Sequence, residues 1–132
     1  MSKVFDFIQK CGVFFVITED GDRPAGRPFG AMMEYNDCLY ICTSNIKAVY
    51  HQLKENHNIQ IIAFDADTRD WIRVSGQAVE CSDLAVKQHM LEECPPLIRK
   101  YPTADCPTYA VFQITDAIVF LNTMLGAIRM DE

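Results

Sequence analysis

Long apolar runs, basic clusters and paired-cysteine motifs are missing from this chain, and each absence removes a class of function. Its unbroken apolar stretches are short, as in Val13 to Ile17, far below the ~20 residues that a membrane-spanning helix needs. The N-terminus, Met1-Ser2-Lys3-Val4-Phe5-Asp6-Phe7, lacks the apolar core of a secretory signal. A cytoplasmic protein is expected. No Lys/Arg run exceeds Arg99-Lys100, and 18 acidic against 12 basic residues give a net charge of −6. That balance argues against a nucleic-acid footprint and against a polybasic membrane patch. Six cysteines are present (Cys11, Cys38, Cys42, Cys81, Cys94, Cys106) without a Cys-x-x-Cys pair. Cys38 and Cys42 would stand about 13 Å apart along a strand, too far to share a metal. A structural zinc is held only as a lesser alternative, and no metal ligands are assigned. Three scattered histidines form no HExxH pair, and there is no Gly-x-Ser-x-Gly elbow, Walker loop or Gly-x-Gly-x-x-Gly fingerprint. A hydrolase with its own side-chain nucleophile is therefore not supported, and no catalytic side chain is assigned. If the chain is an enzyme, a bound cofactor carries the chemistry.

What is present is a chain of 132 residues, read as one domain over 1–132 with enough length for a sizeable core. Lys3 to Cys11 reads as a short helix with Val4, Phe5 and Ile8 on one stripe. Val13 to Glu19 reads as a strand, and Asp20-Gly21 as a hairpin turn. One strand is expected from about Pro24 to Tyr35, interrupted by Gly26, Pro28 and Gly30. Asn36-Asp37 then turns into a strand over Cys38 to Thr43. A helix over about Ile46 to Asn56 places Ile46, Val49, Tyr50 and Leu53 on one face. Strands follow at Asn58 to Asp65 and Trp71 to Cys81. Ser82 is expected to cap a helix of about Asp83 to Glu93, which Pro95-Pro96 ends, and a short helical piece is expected near Leu97 to Tyr101. Strands over Thr108 to Thr115 and Ala117 to Thr123 complete the reading. Six to eight mainly antiparallel strands with three helices imply a mainly β fold, a barrel with peripheral helices.

Three segments could carry chemistry. Leu39-Tyr40-Ile41-Cys42-Thr43-Ser44-Asn45-Ile46-Lys47 reads as a strand entering a helix. A helix N-terminus offers unpaired N–H groups, and Thr43 and Ser44 add hydroxyls. Lys47 stands where the helix dipole disfavours a cation by ~0.3–1 kcal/mol. That placement makes sense if an anion, phosphate above all, sits there. The alternative is that Asn45 caps a helix and Lys47 is a solvated lysine; on this segment alone the balance tilts slightly to that alternative. In Arg27-Pro28-Phe29-Gly30, a proline in mid-strand cannot donate to a ladder, so the backbone faces either a planar ligand or an ordinary bulged edge. In Trp71-Ile72-Arg73-Val74-Ser75-Gly76-Gln77-Ala78, the even positions suit a barrel interior. The indole of Trp71 beside Arg73 on the outer face suits an interface or ligand site, or else a surface cation–π pair. Gln52 and Asn56 could reach a ligand or a partner subunit, although a solvated helix face is the better account of both.

Taken in order, Arg27-Pro28-Phe29-Gly30, Leu39 to Lys47, Gln52-Leu53-Lys54-Glu55-Asn56 and Trp71 to Gly76 resemble the pyridoxamine 5'-phosphate oxidase-like flavoproteins, across roughly residues 1 to 125. The resemblance implies an antiparallel split β-barrel working as a homodimer, with FMN at the subunit interface. It implies that Thr43, Ser44 and Lys47 hold the phosphate, with Arg27 close by. It implies that Arg27-Pro28-Phe29 runs beside the isoalloxazine ring, and that Cys42, Gln52, Trp71 and Arg73 lie near flavin or interface. Charge-assisted hydrogen bonds to phosphate contribute about 1.5–3 kcal/mol each, so two or three outweigh the cost of Lys47 against the dipole. Pyridoxamine phosphate oxidases proper are longer and carry a late Arg-x-His pair for their substrate, whereas no histidine follows His89 here. Pyridoxamine phosphate oxidation is therefore not expected. The expectation is an FMN-dependent oxidoreductase that passes electrons from NAD(P)H to a small acceptor. The alternatives are a non-catalytic flavin-binding or sensing protein, or a deazaflavin or haem in the same barrel.

Overall fold

Glycine and proline punctuate the first half of the chain, and the fold follows that punctuation. The computed structural model describes residues 1–131. Helix α1 (Ser2–Cys11) ends at Gly12, whose φ of 84° lies where a side chain would be strained. Strand β1 (Phe14–Asp20) turns back into β2 (Arg23–Phe29). Asn36 and Asp37, with φ of 51° and 62°, make the tight turn between β3 (Met32–Tyr35) and β4 (Cys38–Ser44). Then come α2 (Ala48–Glu55), β5 (Asn58–Phe64), β6 (Trp71–Cys81), α3 (Leu84–Glu93), a short 3-10 helix (Pro95–Arg99), β7 (Tyr109–Thr123) and β8 (Gly126–Arg129).

All the pairings are antiparallel, in the order β2-β1-β5-β6-β7-β4-β3, with β8 added to β7. The two end strands, β2 and β3, are joined by Gly30 and Ala31 yet do not pair with each other. The sheet is thus a split barrel whose seam lies at that connection. The single strand expected over Pro24 to Tyr35 is instead two strands on opposite edges. Pro28 and Gly30 mark where the chain leaves one edge and crosses to the other.

The barrel interior is apolar. Phe14, Val16, Ile41, Ile61, Ile72, Val74, Phe112 and Val119 are all buried, with Val4 and Ile8 of α1 plugging one end. Each such side chain contributes roughly 1.5–3 kcal/mol by leaving water. Lys10 anchors α1 by an ion pair of 3.0 Å to the buried carboxylate of Asp65. A second cluster lies outside the barrel wall. There Met33, Tyr40, Cys42 and Val111 pack under Met90 and Leu91 of α3 and Tyr101 beyond the 3-10 helix. Strand β4 is therefore buried on both faces.

Local boundaries differ from the sequence reading in informative ways. Asn45 does not cap α2: its side-chain amide donates to the Pro107 carbonyl (2.8 Å) and its backbone N–H to that of Thr108 (2.9 Å). Lys47 takes the cap position without a side-chain cap bond, and Ile46, 77 % exposed, drops out of the apolar face. Asp83, not Ser82, caps α3, its carboxylate accepting from the Ala85 N–H at 2.9 Å. The two strands expected at Thr108 to Thr115 and Ala117 to Thr123 are one strand, bulged at Asp116 (φ 53°). Opposite the bulge the register shifts between Ser75 and Gln77, pairing Ser75 with Ile118 and Gln77 with Thr115. A side chain on Gly76 would meet the Thr115 carbonyl at 2.7 Å, so only glycine fits there. Strand β8 was not foreseen. All six cysteines are free, and among the described residues no group of three or more His, Cys, Asp or Glu could hold a metal. The zinc alternative accordingly has no donor set.

Candidate functional site

The seam of the barrel opens into a cavity of about 920 Å³. One wall is the edge of β2 and its continuation, Arg27 to Met32; Cys42 and Thr43 of β4 form the floor. Lys47, Ala48 and Val49 bring in the start of α2, and the end of α3 with the 3-10 helix, Glu93 to Leu97, forms a roof that continues to Lys100 and Tyr101. Strand β2 pairs only with β1, so its other edge runs free along the cavity. A side chain added at Gly30 would meet nothing within 4 Å, which leaves that wall open.

Arg27 is held in place before any ligand arrives. Its guanidinium donates to the Thr18 hydroxyl (2.8 Å), the Gln52 side-chain oxygen (2.7 Å) and the Val16 carbonyl (3.3 Å). The Thr18 hydroxyl in turn donates to Gln52 at 2.6 Å. Partial burial lowers the Arg27 pKa, and the Asp20 charge partly offsets this. Gln52 therefore orients Arg27 and lies behind the cavity wall instead of lining it. Phe29 leans on Phe14, ring centroids 6.1 Å apart.

At the strand-to-helix junction, Thr43 is only 6 % exposed, yet among the described residues its hydroxyl has no hydrogen-bond partner. Among the described residues no buried side-chain polar atom lacks a partner, so the Thr43 hydroxyl oxygen is open to the cavity, where a ligand atom can bond it. Ser44 faces away and meets the Tyr101 hydroxyl. The Lys47 backbone N–H is used, donating to the Ser44 carbonyl at 3.0 Å, so its contribution to a ligand is the side chain. Among the described residues neither Arg27 nor Lys47 has a carboxylate at ion-pair distance. That is notable in a chain with a net charge of −6.

The thiols and the phenol of the cavity are kept neutral. Burial raises the Cys42 thiol to about 12 and the Tyr101 hydroxyl to about 12. Cys94 is raised by burial as well. Glu93 lines the cavity but stands 3.5 Å from His89 on its own helix.

Of the residues expected at a site, the structure brings Arg27, Pro28, Phe29, Cys42, Thr43 and Lys47 to one cavity. Ser44 and Gln52 stand directly behind it. Trp71 and Arg73 do not reach it; they form a cation–π pair 4.8 Å apart on the outer face of β6. The short helical piece expected near Leu97 to Tyr101 is there as the 3-10 helix Pro95–Arg99, but sequence reasoning missed that this piece roofs the cavity, with Leu97, Lys100 and Tyr101 in its lining.

Comparison with known proteins gives the same picture. Residues 1–116 match the pyridoxamine 5'-phosphate oxidase family. A NimC/NimA family protein from Clostridium acetobutylicum is 31 % identical with a TM-score of 0.91, over 98 % of this chain and 92 % of that one. The general stress protein 26 of Bacillus anthracis is 18 % identical with a TM-score of 0.78, over 98 % and 97 %. A pyridoxamine 5'-phosphate oxidase-related, FMN-binding protein of Nostoc punctiforme is 14 % identical with a TM-score of 0.70, over 95 % and 84 %. Comparison with curated proteins finds no match. With a split antiparallel barrel, a cavity at its seam and a family match over residues 1–116, the chain belongs to the pyridoxamine 5'-phosphate oxidase-like family.

Proposed function

We propose that this protein binds FMN at the seam of its barrel and works as a homodimeric oxidoreductase, passing electrons from NAD(P)H to a small acceptor. The observation that carries the reading is the pairing of two features in one cavity: cations without a carboxylate at ion-pair distance beside a Thr43 hydroxyl open to the cavity at one end, and the free edge of β2 along the wall. The first matches a phosphate and the second the edge of a planar ring, so the residues present fit FMN. A bound flavin supplies two-electron redox chemistry that no side chain of the cavity can supply.

The chain's own part is to bind, orient and exclude water. Lys47 and Thr43 face the phosphate position, and Arg27, fixed by Thr18 and Gln52, presents its charge without having to reorganise. Pro95, Pro96 and Leu97 of the roof offer the ring region an apolar surface. Cys42 and Tyr101, both raised to about 12, stay protonated at neutral pH and add no charge. The homodimer is supported by an uncovered apolar face, where Phe15, Phe64, Trp71, Ile118 and Phe120 lie on neighbouring strands.

The test is the visible spectrum of the purified protein and its titration with added FMN, followed by NAD(P)H oxidation with a panel of acceptors. A yellow protein, or saturable uptake of FMN, is expected. A protein that takes up no FMN, or that carries a haem or deazaflavin spectrum, overturns the cofactor. Tight FMN binding with no turnover by any reductant would leave a binding or sensing protein in place of the enzyme.

A further inference from the structure

The cavity holds a second lysine that the phosphate reading above does not use. Lys100 lines the same cavity as Lys47 but arrives from the other side of the seam, at the end of the 3-10 helix. Both side chains are exposed and line the one cavity. Among the described residues, no carboxylate stands at ion-pair distance from either. Two other lysines do have an acid, Lys10 with Asp65 at 3.0 Å and Lys54 with Glu80 at 3.0 Å.

Nor is Lys100 on a loose loop. Its N–H and that of Tyr101 both donate to the Leu97 carbonyl, at 3.0 and 2.8 Å. Tyr101 is 2 % exposed and stacks on Tyr109 with ring centroids 4.8 Å apart. The backbone beneath Lys100 is thus tied to the second core. Contact with the Lys47 charge, and then lost water, lowers the Lys100 pKa. No nearby thiolate offsets the pair, because Cys42 remains a thiol. Two like charges lining one cavity from opposite sides of the seam, with the Thr43 hydroxyl free of hydrogen bonds in the same cavity, are an arrangement that a doubly negative group would stabilise. A phosphomonoester carries about −1.5 to −2 charges at neutral pH.

Resting on the FMN reading, we propose that Lys100 and Lys47 form a two-lysine clamp across the seam for a phosphomonoester dianion, and that Lys100 is the residue that sets the preference for phosphorylated over unphosphorylated flavin. Because the two lysines belong to different elements, α2 and the 3-10 helix, the bound phosphate also draws the roof onto the barrel wall. Riboflavin, which lacks the phosphate, leaves the repulsion in place.

The test is an equilibrium titration of the full chain and its K100Q and K100R variants with FMN and with riboflavin, followed by flavin fluorescence. K100Q is expected to weaken FMN at least about tenfold, the loss of one charge-assisted hydrogen bond, and to leave riboflavin within about twofold. K100R, which keeps the charge, is expected to recover most of the FMN affinity. A parallel melt reads the clamp without flavin: inorganic phosphate is expected to raise the melting temperature of the wild type and not that of K100Q. Unchanged FMN affinity in K100Q, or equal losses for FMN and riboflavin, would overturn the clamp and leave the flavin site standing. A wild type that binds neither flavin overturns the FMN reading. In that case the phosphate-dependent melt alone decides the clamp, and an equal phosphate response in K100Q refutes it.

Discussion

Strand β7 runs past two different surroundings on either side of the bulge at Asp116. Before the bulge, Ala110, Phe112 and Ile114 point into the barrel, while Tyr109 and Val111 point outward and are buried by the second core. After it, the extra residue shifts the alternation by one. Val119 now points inward, and Ile118 and Phe120 point outward with 46 % and 36 % exposure. The first outer half is roofed by α3 and the 3-10 helix; the second, shared with β1, β5 and β6, has no helix over it among the described residues, only the Arg129 guanidinium over Phe120. A similar apolar alternation thus serves an internal interface on one side and an external one on the other. The cavity lies on the covered side, between the barrel wall and its roof, which places any ligand where it can tie the two together.

The covered half should behave as core. Met90 of α3 is fully buried in the second cluster, and Met90→Ala is expected to cost ~2–5 kcal/mol of stability in denaturant unfolding. Subunit assembly should not change at concentrations where the variant is folded. A loss below ~1 kcal/mol would mean that the roof is only loosely packed and that the two halves differ little in cover.

The uncovered half should behave as an interface. Trp71→Asp places a charge on the outer face at the one tryptophan of the chain, paired there with Arg73. It is expected to weaken dimerisation by ~2 kcal/mol or more, roughly thirtyfold. Sedimentation across a concentration series reads the effect, with circular dichroism confirming that the barrel is intact. If the wild type is monomeric at micromolar concentration, the apolar face has some other role and the homodimer is wrong.

Lys47→Ala tests the boundary between the halves and the cavity. One lost charge-assisted hydrogen bond predicts FMN binding weaker by about tenfold, while the melting temperature of the unliganded protein holds or rises as the repulsion with Lys100 is relieved. An unchanged FMN affinity would show that the phosphate does not lie at this junction.

How much of this was visible in the residues depends on the range of the interaction. The elements set by local chemistry were legible: α1 up to Gly12, the Asn36-Asp37 turn, and β6 from Trp71 to Cys81 with its inward Ile72, Val74 and Ala78. The junction at Thr43 and Lys47 and the edge at Arg27 to Phe29 were legible as separate oddities: hydroxyls and a cation beside a helix start, and a proline inside a strand. What joined them was the barrel seam, a long-range feature that brings β2 and β4 together across the ends of the sheet. Asn45 illustrates the limit. Its residue type favours a helix cap, but its amide is used by Pro107, 62 positions away. The break between Thr115 and Ala117 was legible as a break, yet only the register against Gly76 shows it to be a bulge within one strand. The roof was not legible, because nothing local to Pro95 or Lys100 says that they fold over Cys42.

The finest test of the comparison is whether the roof is its own unit of stability. Asp83 caps α3 by accepting from the Ala85 N–H at 2.9 Å, and replacing it with alanine is expected to cost ~1 kcal/mol, within 0.5–2. Beyond its first turn, α3 is fastened to β7 by a reciprocal pair: the Lys87 ammonium donates to the Tyr109 carbonyl (2.8 Å), and the Tyr109 hydroxyl donates to the Lys87 carbonyl (2.9 Å). If the roof opens as a unit while the barrel stays folded, native-state hydrogen exchange of Asp83→Ala should show the amides of α3 losing protection by about fivefold while those of β5 and β6 hold. FMN, bridging Lys47 and Lys100, should suppress that opening. A uniform loss across α3, β5 and β6 would mean that covered and uncovered halves melt together, and that the distinction between them lies in what they bind and not in how they open.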